Sequence, residues 1–100
     1  MKSGYKIEWT DHALKELSET FEFVKKNWTE KELEKLSYKI EKTLSLISLN
    51  PELFQKSSTR KDIRRAVVTK HNSLYYRNKN ETIEILSFFS NRKNPNKLEL

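Results

Sequence analysis

The 100-residue sequence predicts an α+β domain: an N-terminal strand, an antiparallel helical hairpin, and a three-stranded antiparallel meander that completes one sheet. Three observations carry this. Residues 5–9 alternate apolar and charged side chains, two helix-period stripes separated by a capping signal follow, and the second half holds three β-rich segments divided by asparagine-rich turns.

In the first segment Tyr5, Ile7 and Trp9 alternate with Lys6 and Glu8, the period of a strand with one buried face. Thr10 is placed to cap a helix, and Asp11 suits the positive end of its dipole. Leu14, Leu17, Phe21, Val24 and Trp28 then recur at steps of three and four, which assigns them to one helix face. Thr29-Glu30-Lys31-Glu32 reads as a capping box opening a second helix. Its stripe is Leu33, Leu36, Ile40, Leu44 and Ile47, and Pro51 stops it at Asn50 because a proline disfavours helical geometry in the residue before it. So few residues separate the helices that they must fold back on one another over roughly residues 11–50, with their stripes facing each other or a sheet.

A polar connector from about Glu52 to Asp62 leads to strands expected at Ile63–Thr69, Ser73–Asn78 and Thr82–Phe89. The separators, His71-Asn72 and Asn78-Lys79-Asn80-Glu81, contain asparagine, which tolerates the left-handed backbone of tight hairpins. The last strand is apolar on both faces at its end, through Leu86 and Phe88, and is expected in the sheet interior. The tail from Asn91 to Lys97 is polar and basic.

Composition narrows the function. One domain spanning 1–100 fits the length. There is no cysteine, and two histidines, His12 and His71, are too few for most zinc sites, so metal-free and cofactor-free action is expected. A single glycine excludes phosphate loops. The N-terminus lacks the apolar run of a signal peptide, and no stretch approaches the roughly 20 apolar residues of a membrane helix; a cytoplasmic protein is expected.

The net charge of +6 is unevenly spread. Residues 1–50 carry nine Lys/Arg against nine Asp/Glu, residues 51–100 eleven against five, so the excess belongs to the sheet half and suits a polyanion or an acidic protein. Glu30, Glu32, Glu34 and Glu41 interleave with lysines on the second helix as a solvated face. The basic set is Arg60, Lys61, Arg64 and Arg65 at the second strand, Lys70 and Arg77 flanking the third, and Arg92, Lys93 and Lys97 after the fourth. Being adjacent, Arg64 and Arg65 point to opposite faces, and so do Tyr75 and Tyr76. Guanidinium groups donate bidentately to phosphate and stabilise charge developing on it.

The ordered set of motifs resembles the RelE/ParE superfamily of type II toxins across nearly the whole chain. Ile7-Glu8-Trp9-Thr10-Asp11-His12-Ala13 is similar to its W-[ST]-x-x-A opening, and Leu49-Asn50-Pro51-Glu52 closes the second helix. Ile63-Arg64-Arg65-Ala66-Val67-Val68 and Leu74-Tyr75-Tyr76-Arg77 are similar to its R-x-x-x-V and hydrophobic-Tyr strands. Ile83 to Phe89, followed by Ser90-Asn91-Arg92-Lys93-Asn94-Pro95, looks like the terminal strand with its D-x-R-x-N-P ending.

The resemblance implies a toxin neutralised by a cognate acidic antitoxin that wraps hairpin and sheet. RelE-like members cut messenger RNA in the ribosomal A site, whereas ParE-like members inhibit DNA gyrase. Arg64, Arg65 and Arg92 match the basic positions of the nuclease site, but Ser73 stands where RelE has an arginine, and no Tyr or His follows Arg92. His71, the remaining general-base candidate of the second half, reads as a turn residue. A toxin that is ParE-like or of unassigned target is therefore expected ahead of a metal-independent mRNA endonuclease, with a non-toxic binding module of the same fold as the third reading.

Overall fold

The computed structural model describes residues 4–58 and 60–90. Strand β1 (Lys6–Trp9) leads into helix α1 (Asp11–Asn27), helix α2 (Glu30–Leu49) and strands β2 (Arg64–Thr69), β3 (Asn72–Lys79) and β4 (Thr82–Ser90). The sheet runs β1-β4-β3-β2. The meander is antiparallel as expected, but β1 lies parallel to β4, with Ile7 opposite Ile83 and Trp9 opposite Ile85, so the sheet is mixed. A parallel partner needs a long crossover, which the hairpin and the first two meander strands supply.

Thr10 does two jobs at the junction of β1 and α1. Its hydroxyl oxygen accepts from the Ala13 backbone N–H at 3.2 Å, capping α1. Its hydroxyl and backbone N–H both donate to the Ile85 carbonyl, at 2.9 and 3.1 Å, so the cap is also fastened to β4. Thr29 caps α2 by accepting from Glu32 N–H at 3.3 Å, while the Glu32 carboxylate sits 3.8 Å from the Lys35 ammonium. Asn50 ends α2 as expected and accepts from the Glu52 N–H at 3.2 Å, turning the chain at Pro51.

The α2 stripe behaves as its spacing predicts: Leu36, Ile40 and Ile47 are buried, with Leu33 and Leu44 packed beside them. The α1 stripe needs correction at both ends, because Leu14 is 47% and Trp28 51% exposed. The face that meets the sheet is instead Ala13, Leu17, Thr20 and Val24, with Phe21 at its margin. Two small residues let α1 approach closely, and the Thr20 hydroxyl is satisfied within the helix by donating to the Glu16 carbonyl at 2.9 Å.

The helices cover one sheet face, burying Ala66, Leu74, Tyr76, Ile83, Ile85 and Phe88. On the other face Ile63, Tyr75 and Phe89 form a smaller cluster with Leu86. β4 thus contributes to both cores, the interior position expected of it. A register shift between Tyr75 and Tyr76 leaves Leu86 without a partner across the ladder. There the Glu16 carboxylate of α1 accepts from both the Ser87 hydroxyl (2.7 Å) and the Phe88 N–H (3.0 Å). Asn80 turns β3 into β4 with φ of 60°, the left-handed conformation asparagine tolerates.

The lone glycine has a steric reason. Tyr5 N–H donates to the Ser48 carbonyl at 2.9 Å and the Ser48 hydroxyl to the Tyr5 carbonyl at 2.8 Å, and a Cβ on Gly4 would collide with Ser48 side chain and backbone. Gly4→Ala is expected to lower stability by about 1–3 kcal/mol, read from the urea midpoint. Glu16→Ala, which strands the Ser87 hydroxyl and the Phe88 N–H, is expected to cost a similar ~1–3 kcal/mol, with amide exchange at Phe88 speeding up more than in the rest of β4.

Candidate target-binding surface

The two adjacent arginines of β2 leave the strand on opposite faces, as pleating requires. Arg64 lies opposite Tyr76 in the β2–β3 ladder and donates through Nη1 to the Phe54 carbonyl at 2.8 Å. The Tyr76 hydroxyl donates to the Pro51 carbonyl at 2.8 Å, and its ring meets Phe54 edge-on at 6.5 Å. Together they hold the connector against the sheet, where Lys56 bridges to Arg64. Burial is the main influence on the Tyr76 hydroxyl and pushes its pKa up to about 12, against the smaller opposing pull of the Arg64 guanidinium.

Arg65 takes the other face, opposite Tyr75, and is exposed. Its backbone N–H donates to the Gln55 carbonyl at 2.9 Å, while its guanidinium makes no ion pair with any described residue. Two residues along β3 from Tyr75, Arg77 shares that face but is held by Glu84 across the ladder at 2.7 Å. Arg60 grips Asp62 with two hydrogen bonds of 3.2 and 3.3 Å, and these bonds above all hold the Asp62 carboxyl below the usual carboxylate range.

Lys61 joins Arg64 and Tyr76 around a cleft of about 240 Å³ that Glu52 and Asp62 also line, so its field is of mixed sign. Lys70 lies in the β2–β3 turn, roughly 20 Å along the strand direction from Arg64. The fold thus brings Arg60, Lys61 and Arg64 to one end of β2, places Arg65 and Arg77 on the outer face, and carries Lys70 to the far end. Arg92, Lys93 and Lys97 lie outside the described residues.

A second concavity was not legible in the sequence. A groove of about 580 Å³ opens between the end of α1, the start of α2 and the β2–β3 turn, lined by Trp28, Lys35, Lys39, Lys70 and His71 among others. Trp28 reads as core and the lysines as solvated face in sequence. The available signal was position: Trp28 sits just past the last residue of α1, where a stripe residue has no following turn to pack against.

Among the described residues no three His, Asp or Glu side chains are grouped to hold a metal ion, and no helix is long and apolar enough to cross a membrane. The family model for the ParE toxin of the type II toxin-antitoxin system parDE matches residues 7–95. This chain belongs to the ParE toxin family. The fold agrees: a structure titled as the chromosomal ParDE toxin-antitoxin system from P. aeruginosa superposes with a TM-score of 0.72 at 16% identity, covering 86% of this chain and 95% of that one. The YoeB dimer from Staphylococcus aureus gives a TM-score of 0.60 at 19% identity, covering 87% and 97%. No curated protein matches the sequence. The chain is therefore a toxin of a type II toxin-antitoxin system, and an antitoxin is its partner.

Two measurements check the site geometry. Phenol absorbance should show one of the four tyrosines ionising near pH 12, absent in Tyr76→Phe. The raised pKa means the folded state binds more protons than the unfolded state between roughly pH 10 and 12, so stability should fall as pH rises through that window, and less steeply in Tyr76→Phe. Arg64→Ala should cost about 1–2 kcal/mol by freeing the connector, whereas Arg65→Ala should change stability by less than about 0.5 kcal/mol.

Proposed function

We propose that this toxin arrests growth as a ParE-like inhibitor of DNA gyrase, binding its target through the basic sheet half rather than cutting messenger RNA. The observation that carries this is the state of Tyr76. It is the one phenol beside Arg64, its proton is committed to the Pro51 carbonyl, and a pKa of about 12 leaves it unable to act as a base near neutral pH. His71 stands in the turn at the far end of β2. Around Arg64 the described residues thus offer no phenol or imidazole free to take a proton, and the carboxylates there, Glu52 and Asp62, set negative charge where a phosphate would approach, an arrangement better suited to association than to nuclease chemistry. The match to the ParE family model supports the same choice.

In this reading Arg65, without an ion-pair partner among the described residues on the outer face, is the principal contact, and Arg64 is a positioning residue for the connector. Lys61 and Lys70 extend the positive field at either end of β2, and Arg60 and Arg77 contribute to it from within their ion pairs. Arg92, Lys93 and Lys97 carry the same charge into the tail. Residues 1–100 act as one domain in the cytoplasm, without a cofactor, and an acidic antitoxin neutralises the chain by covering the basic surface. Arg64, Arg65 and Arg92 become catalytic residues only if the chain cleaves RNA.

Induced expression without antitoxin separates the readings. Growth arrest with supercoiling defects or DNA breaks and intact ribosome-bound transcripts is the expected result. Cut transcripts, lost on Arg92→Ala, would install the endonuclease instead, and undiminished growth would leave a non-toxic binding module. In a purified supercoiling assay Arg65→Ala should raise the inhibitory concentration about tenfold, equivalent to ~1.4 kcal/mol. Antitoxin affinity should fall steeply between 50 and 500 mM salt, on the order of tenfold or more for a surface of several cations; salt-insensitive binding would refute the electrostatic account.

A further inference from the structure

The groove at the turn end of the hairpin lies at the opposite end of β2 from Arg64 and Arg65, and of its lining only Lys70 has a part in the target-binding surface. Its volume of about 580 Å³ falls within the range of small-ligand sites. Val24 and Leu36 give it an apolar wall, and Trp28, 51% exposed, places an indole beside them. Lys35 and Lys39 stand one turn apart on α2, and Lys70 faces the same space from the β2–β3 turn. Among the described residues of the lining Glu32 is the one acid, so positive charge is in excess by two before His71 is counted.

Asn72 adds an independent observation. It lines the groove yet is only 2% exposed, and its amide is half used: Nδ2 donates to the Thr69 hydroxyl at 3.0 Å, while Oδ1 has no hydrogen-bond partner among the described residues. Exchanging the amide's oxygen and nitrogen would only exchange which half is left over. A buried amide oxygen without a partner is an unmet hydrogen-bond acceptor that destabilises the fold. With Nδ2 engaged by Thr69, Oδ1 is left to accept one hydrogen bond, as from an amino group on the edge of a nucleobase.

We propose that this groove binds a nucleotide, with the base against Trp28 and the Asn72 amide and the phosphate among Lys35, Lys39 and Lys70. An indole gives a stacking surface for any base, and clustered lysines suit a phosphate. An acidic peptide would match the positive charge but would leave the exposed indole and the buried Asn72 oxygen unexplained. The Asn72 oxygen is closed to solvent, so a base reaches it only if neighbouring side chains move aside. The nucleotide is either free or one unit of a single-stranded nucleic acid. The inference does not rest on the gyrase reading: the groove and Arg64 lie at opposite ends of β2, and the two surfaces share only Lys70.

Calorimetric titration of the free toxin with ATP, AMP, a tetra-adenylate RNA, pyrophosphate and hexaglutamate tests it. ATP or the RNA should bind with a dissociation constant below about 1 mM, an affinity of roughly 4 kcal/mol or better. Tighter binding of the RNA than of ATP identifies a single strand as the source, and equal or tighter binding of ATP identifies a free nucleotide. Trp28→Ala should weaken binding at least tenfold, Trp28→Phe by less, and the Lys35→Ala/Lys39→Ala double variant should abolish it, while Lys15→Ala on the far part of α1 leaves it unchanged. If Trp28→Ala does not fold, the base-induced quenching of indole fluorescence lost in Trp28→Phe reports the same contact. Pyrophosphate binding as tightly as ATP, hexaglutamate binding better than either nucleotide, or no nucleotide binding at millimolar concentration would each overturn the proposal.

Discussion

Everything in this fold hangs on the double burial of β4. The strand pairs with β3 on one side and, in parallel, with β1 on the other, and it sends Ile83, Ile85 and Phe88 into the helix-covered core and Leu86 and Phe89 to the opposite cluster. A strand apolar on both faces is stable only when both are covered. The hairpin supplies one cover, and the constraint explains why its anchors converge on β4: Thr10 bonds to the Ile85 carbonyl, and Glu16 takes the Ser87 hydroxyl and the Phe88 N–H that the register shift releases. These contacts link residues more than seventy positions apart, so the sheet and the hairpin gain their order together.

The same sheet organises the charge. Its second half is basic, but the fold does not present that charge uniformly, since Arg77 is neutralised locally by Glu84, Arg60 by Asp62, and Arg64 is turned inward to hold the connector. Arg65 alone of the four arginines described is exposed without an ion-pair partner among the described residues. Tyr76, beside Arg64, has been drawn into structural duty by the Pro51 carbonyl.

The second concavity follows from connection lengths. Only two residues, Trp28 and Thr29, lie between the helices, and only two, Lys70 and His71, between β2 and β3. Both turns end at the same side of the molecule, and neither is long enough to fill the angle between them. The exposed indole and the lysines of α2 are therefore left around an open groove rather than buried against the sheet.

Much of this was legible in the residues. The alternation of residues 5–9, the caps at Thr10 and Thr29, the stop at Pro51 and the asparagine turns are local signals, each set by backbone sterics and hydrogen bonding within a few positions, and they determined the elements, their order and the opposite facing of Arg64 and Arg65. Local pattern did not reach the parallel pairing of β1 with β4, the rotation of the α1 face onto Ala13 and Thr20, the reason for Gly4, or the inward commitment of Arg64 and Tyr76. Those depend on which distant backbone comes within 3 Å and on how closely a helix can sit on a sheet, and neither has a period in sequence. The sequence by itself determined an α+β toxin fold with its positive charge in the sheet half; only the tertiary structure decided which of those charges are spent holding the fold and which remain to meet a partner, because an ion pair is settled by distance in space.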